Sequence, residues 1–192
     1  MDAPVFYYDL SSPYAYLAAL RVDDVLPVRP EWRPIAFGVI IRAVGKVPWS
    51  MRDGREARFD EIAARASDRG LPEFRYPEGW PAETYSLVGL RALLLTTDQD
   101  QQRAAARELY RTMFVDGRHL AGVETVRDAV ARAGIDVEDF DGRVSGDEVK
   151  QRLRAETDAA LEAGVTGIPT VAVDGKLFWG DDRLEQAAAA TR

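Results

Sequence analysis

Two stretches decide how this chain folds. The first is Asp9-Leu10-Ser11-Ser12-Pro13-Tyr14-Ala15-Tyr16, near the start. The second is Gly164-Val165-Thr166-Gly167-Ile168-Pro169-Thr170, which runs on to Phe178-Trp179-Gly180-Asp181-Asp182-Arg183-Leu184. Pro4 to Asp9 is short, aromatic and β-branched, and reads as a buried strand. Ser12 is a natural N-cap, and Pro13 stands at the first helical position, where proline is favoured. A strand therefore hands over to a helix at Ser12. Such a helix start presents unpaired backbone N–H groups and the positive end of a dipole, so it stabilises an anion placed there. A plain capping role would by itself account for most Ser-Pro helix starts, so this stretch is informative only together with the second.

Working outward, the first helix should run from Pro13 to about Leu26, where Pro27 and Pro30 break it. Glu31 to Phe37 reads as a second strand, weakened by Pro34, which offers it an earlier end. From Gly38 to Gly164 the periodicity changes. Gly45 to Gly54 is a loop, and Arg55 to Arg69 is a helix stopped by Gly70. Leu71 to Pro81 is a proline-rich aromatic connector. Thr84 to Thr97, Gln99 to Asp116, Glu124 to Ala133 and Asp147 to Ala163 carry the 3.6-residue pattern of helices. Thr170 to Val173 and Lys176 to Trp179 flank Asp174-Gly175, the dipeptide of a tight hairpin turn. Asp182 to Ala190 reads as a last helix, with Asp182 and Glu185 spaced for a capping box. The order is β-α-β, a helical block, then β-β-α. The two ends form one four-stranded sheet if the block is an insertion.

Composition narrows the chemistry. With 192 residues, 46% hydrophobic and 30% charged, the chain suits a globular protein of one large domain or a small domain carrying an insertion. The absence of cysteine excludes disulfides, zinc–thiolate sites and any thiol nucleophile of the protein's own. A single histidine, His119, leaves no histidine-rich metal site and no obvious base for a serine relay. A net charge of −7 without a dense basic run argues against nucleic acid as the main partner. The arginines between positions 52 and 69 nonetheless give one face local positive potential. No stretch is long and apolar enough to span a membrane, and the N-terminus lacks a basic region followed by an apolar run, so a cytoplasmic protein is expected.

These motifs resemble the family of 2-hydroxychromene-2-carboxylate isomerases and kappa-class glutathione transferases, within the DsbA-like thioredoxin superfamily. The resemblance covers the whole chain. It rests most specifically on Asp9 to Tyr16 and on Phe178 to Leu184. It implies an α/β thioredoxin-like fold with an all-helical insertion: residues 1–37 and 165–192 would form the thioredoxin-like part and 38–164 the insertion. It also implies a cis peptide bond at Ile168-Pro169, lying against the Ser12 turn. The implied cofactor is glutathione or another low-molecular-weight thiol such as mycothiol.

In that scheme Ser12 activates the cofactor's sulfur, Ile168 pairs with the cysteinyl backbone, and Asp181 and Asp182 meet the γ-glutamyl end. Relatives usually carry an asparagine and a lysine between the positions matching Gly45 and Phe59. Here Lys46, Arg52 and Arg55 are alternative carboxylate clamps, and Arg52 or Arg55 also suits a substrate carboxylate. Trp49, Tyr76, Trp80 and Tyr85 are candidate aromatic walls for a substrate. The implied activity is a thiol-dependent isomerase acting on an aromatic or conjugated carboxylate without net redox. A thiol transferase and a redox-inactive binding module are the alternatives, and a homodimer is a possible assembly.

Overall fold

A computed structural model of the chain describes residues 3–191. Four strands form one sheet in the order β2-β1-β3-β4. They are β1 (Val5–Tyr8), β2 (Glu31–Pro34), β3 (Thr170–Val173) and β4 (Lys176–Trp179). β1 and β2 are parallel, with Phe6 opposite Trp32, whereas β1–β3 and β3–β4 are antiparallel. A parallel pair needs a crossover. It is supplied by α1 (Pro13–Ala19) and the short α2 (Val22–Val25). Asp174 and Gly175 both take positive φ, at 46° and 77°, closing the β3–β4 hairpin at the expected dipeptide.

Between β2 and β3 the chain is helical, and no strand lies between Gly38 and Gly164. The helices are α3 (Phe37–Val44), α4 (Glu56–Asp68), α5 (Leu87–Leu93), α6 (Gln99–Phe114), α7 (Val123–Arg132), α8 (Phe140–Ser145) and α9 (Asp147–Glu162). A last helix, α10 (Leu184–Ala190), follows β4. The core is continuous across these parts. Phe6 and Tyr8 of β1 belong to the same buried cluster as Leu90 of α5, Leu109, Tyr110 and Phe114 of α6, and Val126 of α7. Phe6 stacks on Tyr8 with ring centres 5.3 Å apart, and both meet the Trp32 indole edge-on. Among the described residues, no helix is long and apolar enough to cross a membrane.

The first helix and the start of the helical block depart from the sequence expectation. The expected helix from Pro13 to Leu26 is broken at Leu20–Arg21. Long-range contacts favour the break: Arg21 pairs with Glu185 of α10, Val22 is buried, and Asp23 accepts from Trp32 Nε1 at 3.0 Å and from Arg107 at 2.7 Å. β2 stops at Pro34, the earlier end that proline offered, and Phe37 then opens a helix that the sequence pattern does not announce. That helix, α3, has Ala36 at its N-cap and no local capping side chain. Its cap comes instead from Asp9, whose Oδ2 accepts the Phe37 N–H at 2.9 Å.

Asp9 is 2% exposed and also accepts the Ser11 N–H at 2.9 Å on its other oxygen. Burial pushes its carboxyl above the usual range, against the hydrogen bonds from Ser11, Phe37 and Ser86 that favour the charged form. A raised folded-state pKa means the native state holds the proton more tightly than the unfolded chain. Asp9 therefore adds stability at low pH that is lost as pH rises through its folded pKa. Asp9→Asn should lower stability by about 1–3 kcal/mol at neutral pH, since its amide N–H₂ would face a backbone N–H donor. Relative to this variant, the parent should gain stability as pH falls from about 7 toward 5. Urea midpoints at both pH values check this; parallel profiles would remove Asp9 as the titrating group.

Candidate active site

The site is assembled at the carboxyl ends of β1 and β2, where parallel strands open onto helix starts. The turn is tied locally first. Ser12 N–H donates to the Asp9 carbonyl at 3.2 Å, and Ser12 Oγ accepts from Ala15 N at 3.2 Å. Ser12 is thus the N-cap of α1, with Pro13 in the first turn, as the sequence indicated. Across from it the Ile168-Pro169 bond is cis. Thr170 Oγ1 donates to the Gly167 carbonyl at 2.8 Å, and the Pro169 carbonyl accepts from Gly180 N at 2.9 Å, which fixes the loop to the end of β4. Ser12, Ile168 and Pro169 all line one cavity of about 520 Å³. Among the described residues, the Ile168 backbone N–H and carbonyl have no hydrogen-bond partner, leaving an edge to which an extended peptide-like group can pair.

One wall of the cavity is apolar. Phe37 and Ile41 of α3, Pro48, Trp49 and Met51 of the following loop, and Trp80 contribute to it. Trp49 packs edge-on against Tyr14 and Phe59, with ring centres 5.6 and 5.8 Å apart. Trp179 closes the other side and is 63% exposed. Its indole lies over Gly167: a Cβ on Gly167 would fall 2.4 Å from Trp179 Cε2. Lys46 Nζ donates to Thr166 Oγ1 at 3.1 Å and sits 5.9 Å from the Trp179 ring centre, bridging the loop after α3 to the cis-proline loop.

A charged part of the lining comes from α4. Arg58, Glu61 and Arg65 line the cavity. Tyr14 OH donates to Glu61 Oε2 at 3.0 Å, and Arg58 and Arg65 both pair with Glu61. Burial pushes the Tyr14 hydroxyl up to about 12, so it stays protonated. Burial opposes ionisation of Glu61, but Arg58, Tyr14 and Arg65 outweigh it and hold the carboxyl below its usual value. These α4 residues and Tyr14 were not among the sequence candidates. The signal was present as the arginine-rich stretch, since positions 58, 61 and 65 fall on one helical face.

The sequence candidates separate into two groups. Ser12, Lys46, Trp49, Arg52, Ile168, Pro169, Asp181 and Asp182 all line the cavity. Among the described residues, Lys46 and Arg52 form no ion pair; Arg52 Nε donates to the Val47 carbonyl at 2.9 Å. Tyr85 does not line the cavity and is 59% exposed: its neighbour Thr84 faces inward and the next side chain along the chain turns out. Arg55 also lies outside the lining, its Nη1 donating to the Ser50 carbonyl at 3.1 Å.

Asp181 is fully buried, with both carboxylate oxygens taken by Arg65 and Arg69. Asp182 is exposed and forms no ion pair among the described residues. The capping box with Glu185 does not form. A 3-10 turn over Asp181–Arg183 puts Arg183, not Asp182, at the N-cap of α10, and Glu185 pairs with Arg21. Among the described residues, no His/Cys/Asp/Glu group can hold a metal ion.

Gly167→Ala should therefore expel the Trp179 indole from its seat at a cost of about 1–3 kcal/mol in overpacking. The expected outcome is a change in tryptophan emission that is absent when the substitution is made on a Trp179→Phe background. Identical changes on both backgrounds would show that Gly167 does not seat this ring.

A DSBA-like thioredoxin domain model matches residues 5–192. A 2-hydroxychromene-2-carboxylate isomerase of Sphingobium xenophagum is 26% identical over 185 residues, covering 94% of this chain and 93% of the relative. Glutathione S-transferase kappa 1 of Homo sapiens is 24% identical over 198 residues, covering 95% and 87%. A solved 2-hydroxychromene-2-carboxylate isomerase structure superposes with a TM-score of 0.86 at 23% identity, over 98% of this chain and 94% of that one. The family match begins at β1 and runs through α10, nearly the whole chain, so this chain belongs to the DSBA-like thioredoxin domain family.

Proposed function

We propose that the cavity takes a low-molecular-weight thiol, with its sulfur at Ser12, and that the protein is a thiol-dependent isomerase of the 2-hydroxychromene-2-carboxylate type. The observation that carries this reading is the meeting of Ser12 and the cis Ile168-Pro169 loop in one cavity of a chain without cysteine. The residues present fit such a guest. The open Ile168 edge suits its peptide-like backbone. Asp182, free of ion pairs among the described residues, suits an ammonium, and Lys46 or Arg52 suits a carboxylate.

When bound, the thiol would supply a nucleophile for reversible addition to a conjugated carbon of the substrate, chemistry with no net redox. The protein's part is to hold and orient. A serine hydroxyl has one donor and two acceptor positions, so Ser12 can accept from Ala15 N and still donate to the sulfur. Trp49, Trp80 and Trp179 offer flat apolar surfaces for an aromatic substrate and exclude water from it. A transferase that conjugates the same thiol to an electrophile is the second reading, favoured by the similarity to the human kappa enzyme. The two differ in whether the adduct collapses or is released.

Ser12→Ala tests the reading. A hydrogen bond to a charged group is worth about 1.5–3 kcal/mol, so turnover should fall roughly ten- to a hundredfold and the bound thiol's pKa should rise. Loss of the cap alone would lower stability by about 1 kcal/mol and leave the bound sulfur unchanged. Thiolate absorbance against pH, measured beside the melting temperature, separates these outcomes. Calorimetry with glutathione and with mycothiol is the companion experiment, and binding of neither would overturn the proposal.

A further inference from the structure

α4 carries a ladder of charge across the cavity wall. Arg58 pairs with Glu61, Glu61 with Arg65, Arg65 with Asp181, and Asp181 with Arg69 at 2.8 Å. The three guanidinium groups and two carboxylates leave one excess positive charge. The ladder touches both halves of the site. Through Tyr14 OH, which donates to Glu61 at 3.0 Å, it reaches the first turn of α1, two residues from Ser12. Through Asp181 it reaches the turn that carries Asp182. Arg65 is the middle rung. Its two Nη atoms are held by Asp181 and Glu61, its guanidinium carbon lies 5.5 Å from the Tyr14 ring centre, and it lines the cavity.

We propose that Arg65 is a positioning residue whose charge, aimed by buried Asp181, stabilises the thiolate at Ser12. The inference rests on the reading of a thiol site at Ser12. It gives Asp181 a different job from ammonium recognition. A fully buried carboxylate with both oxygens on arginines has no face left for a ligand's ammonium; it fixes where the guanidinium points. Arg65 stays charged, because Asp181 and Glu61 outweigh the effect of burial on it. The other charges facing this position are few. Lys46, Arg52 and Arg58 add positive charge to the same lining, and Asp182 adds negative charge. Asp9 sits behind the turn and holds Ser11. Of the cations, Arg65 alone is gripped by two carboxylates on different elements, Glu61 of α4 and Asp181 of the turn after β4.

The test does not depend on which small thiol the protein uses. Ser12→Cys places a thiol at the position in question, and its titration is read from thiolate absorbance. On that background Arg65→Gln should raise the midpoint by about one unit, leaving roughly tenfold less thiolate below it. Asp181→Asn should raise it by less, because the guanidinium loses the carboxylate that aims it while a negative charge is also removed. Arg65→Lys should fall between parent and Arg65→Gln.

A purely structural role predicts another pattern. Both Arg65→Gln and Asp181→Asn break a buried ion pair, so both should melt lower while the midpoint stays put. Equal midpoints in folded variants would overturn the proposal. If Arg65→Gln does not fold, Arg65→Lys and Asp181→Asn still decide it through the direction of their shifts. Failure of every small thiol to bind the parent would count against the function proposed above, and the midpoint shifts would stand or fall independently.

Discussion

The structure depends on one buried carboxylate. Asp9 sits at the carboxyl end of β1 and accepts one N–H from each of two turns, Ser11 at 2.9 Å and Phe37 at 2.9 Å. The first bond shapes the turn that delivers Ser12. The second supplies the cap that α3 lacks locally, and α3 provides Phe37 and Ile41 to the cavity wall. Parallel strands in an open sheet place ligands beyond their carboxyl ends, where successive turns diverge. Here the divergence of the turns after β1 and β2 is bridged by a single side chain. Tyr110 of α6 donates to the Asp9 carbonyl at 3.1 Å, so the helical block is tied to the same residue. A carboxyl group removed from water is tolerated because N–H donors meet both of its oxygens.

Much of this architecture could be read from the residues because its cues are local. Ser12-Pro13 carries its own capping chemistry, Asp174-Gly175 its own turn geometry, and the strands their own β-branched and aromatic character. The features that escaped are those whose cause lies elsewhere in the chain. α3 begins with Ala36, Phe37 and Gly38, which offer no cap, so the bond from Asp9 decides it. The break after Ala19 is set by Arg21 reaching Glu185 and by Asp23 serving Trp32 and Arg107, contacts of 84 and 164 residues in separation for the two arginines.

The candidate site divides along the same line. Ser12 and Pro169 were legible because motif and backbone geometry coincide there. Asp181 and Asp182 look equivalent as neighbours in sequence, yet one is fully buried between two arginines and the other faces solvent. Only the position of α4 distinguishes them. Tyr85 and Thr84 likewise exchange the roles that side-chain chemistry alone suggests, because the chain's direction at that point turns the aromatic ring outward.

On the proposed reading, the charge ladder lets an acidic protein hold an anion. The chain carries a net charge of −7, which disfavours an approaching carboxylate or thiolate at long range. At physiological ionic strength that repulsion fades over about 8 Å, so charges near the cavity decide what is held there. Cysteine at such a turn would bring its own anion. Serine does not: its hydroxyl stays protonated and remains a donor. A lining with excess positive charge beside a neutral serine is what the proposed reading requires, in which a thiol cofactor would bring the anion that serine does not.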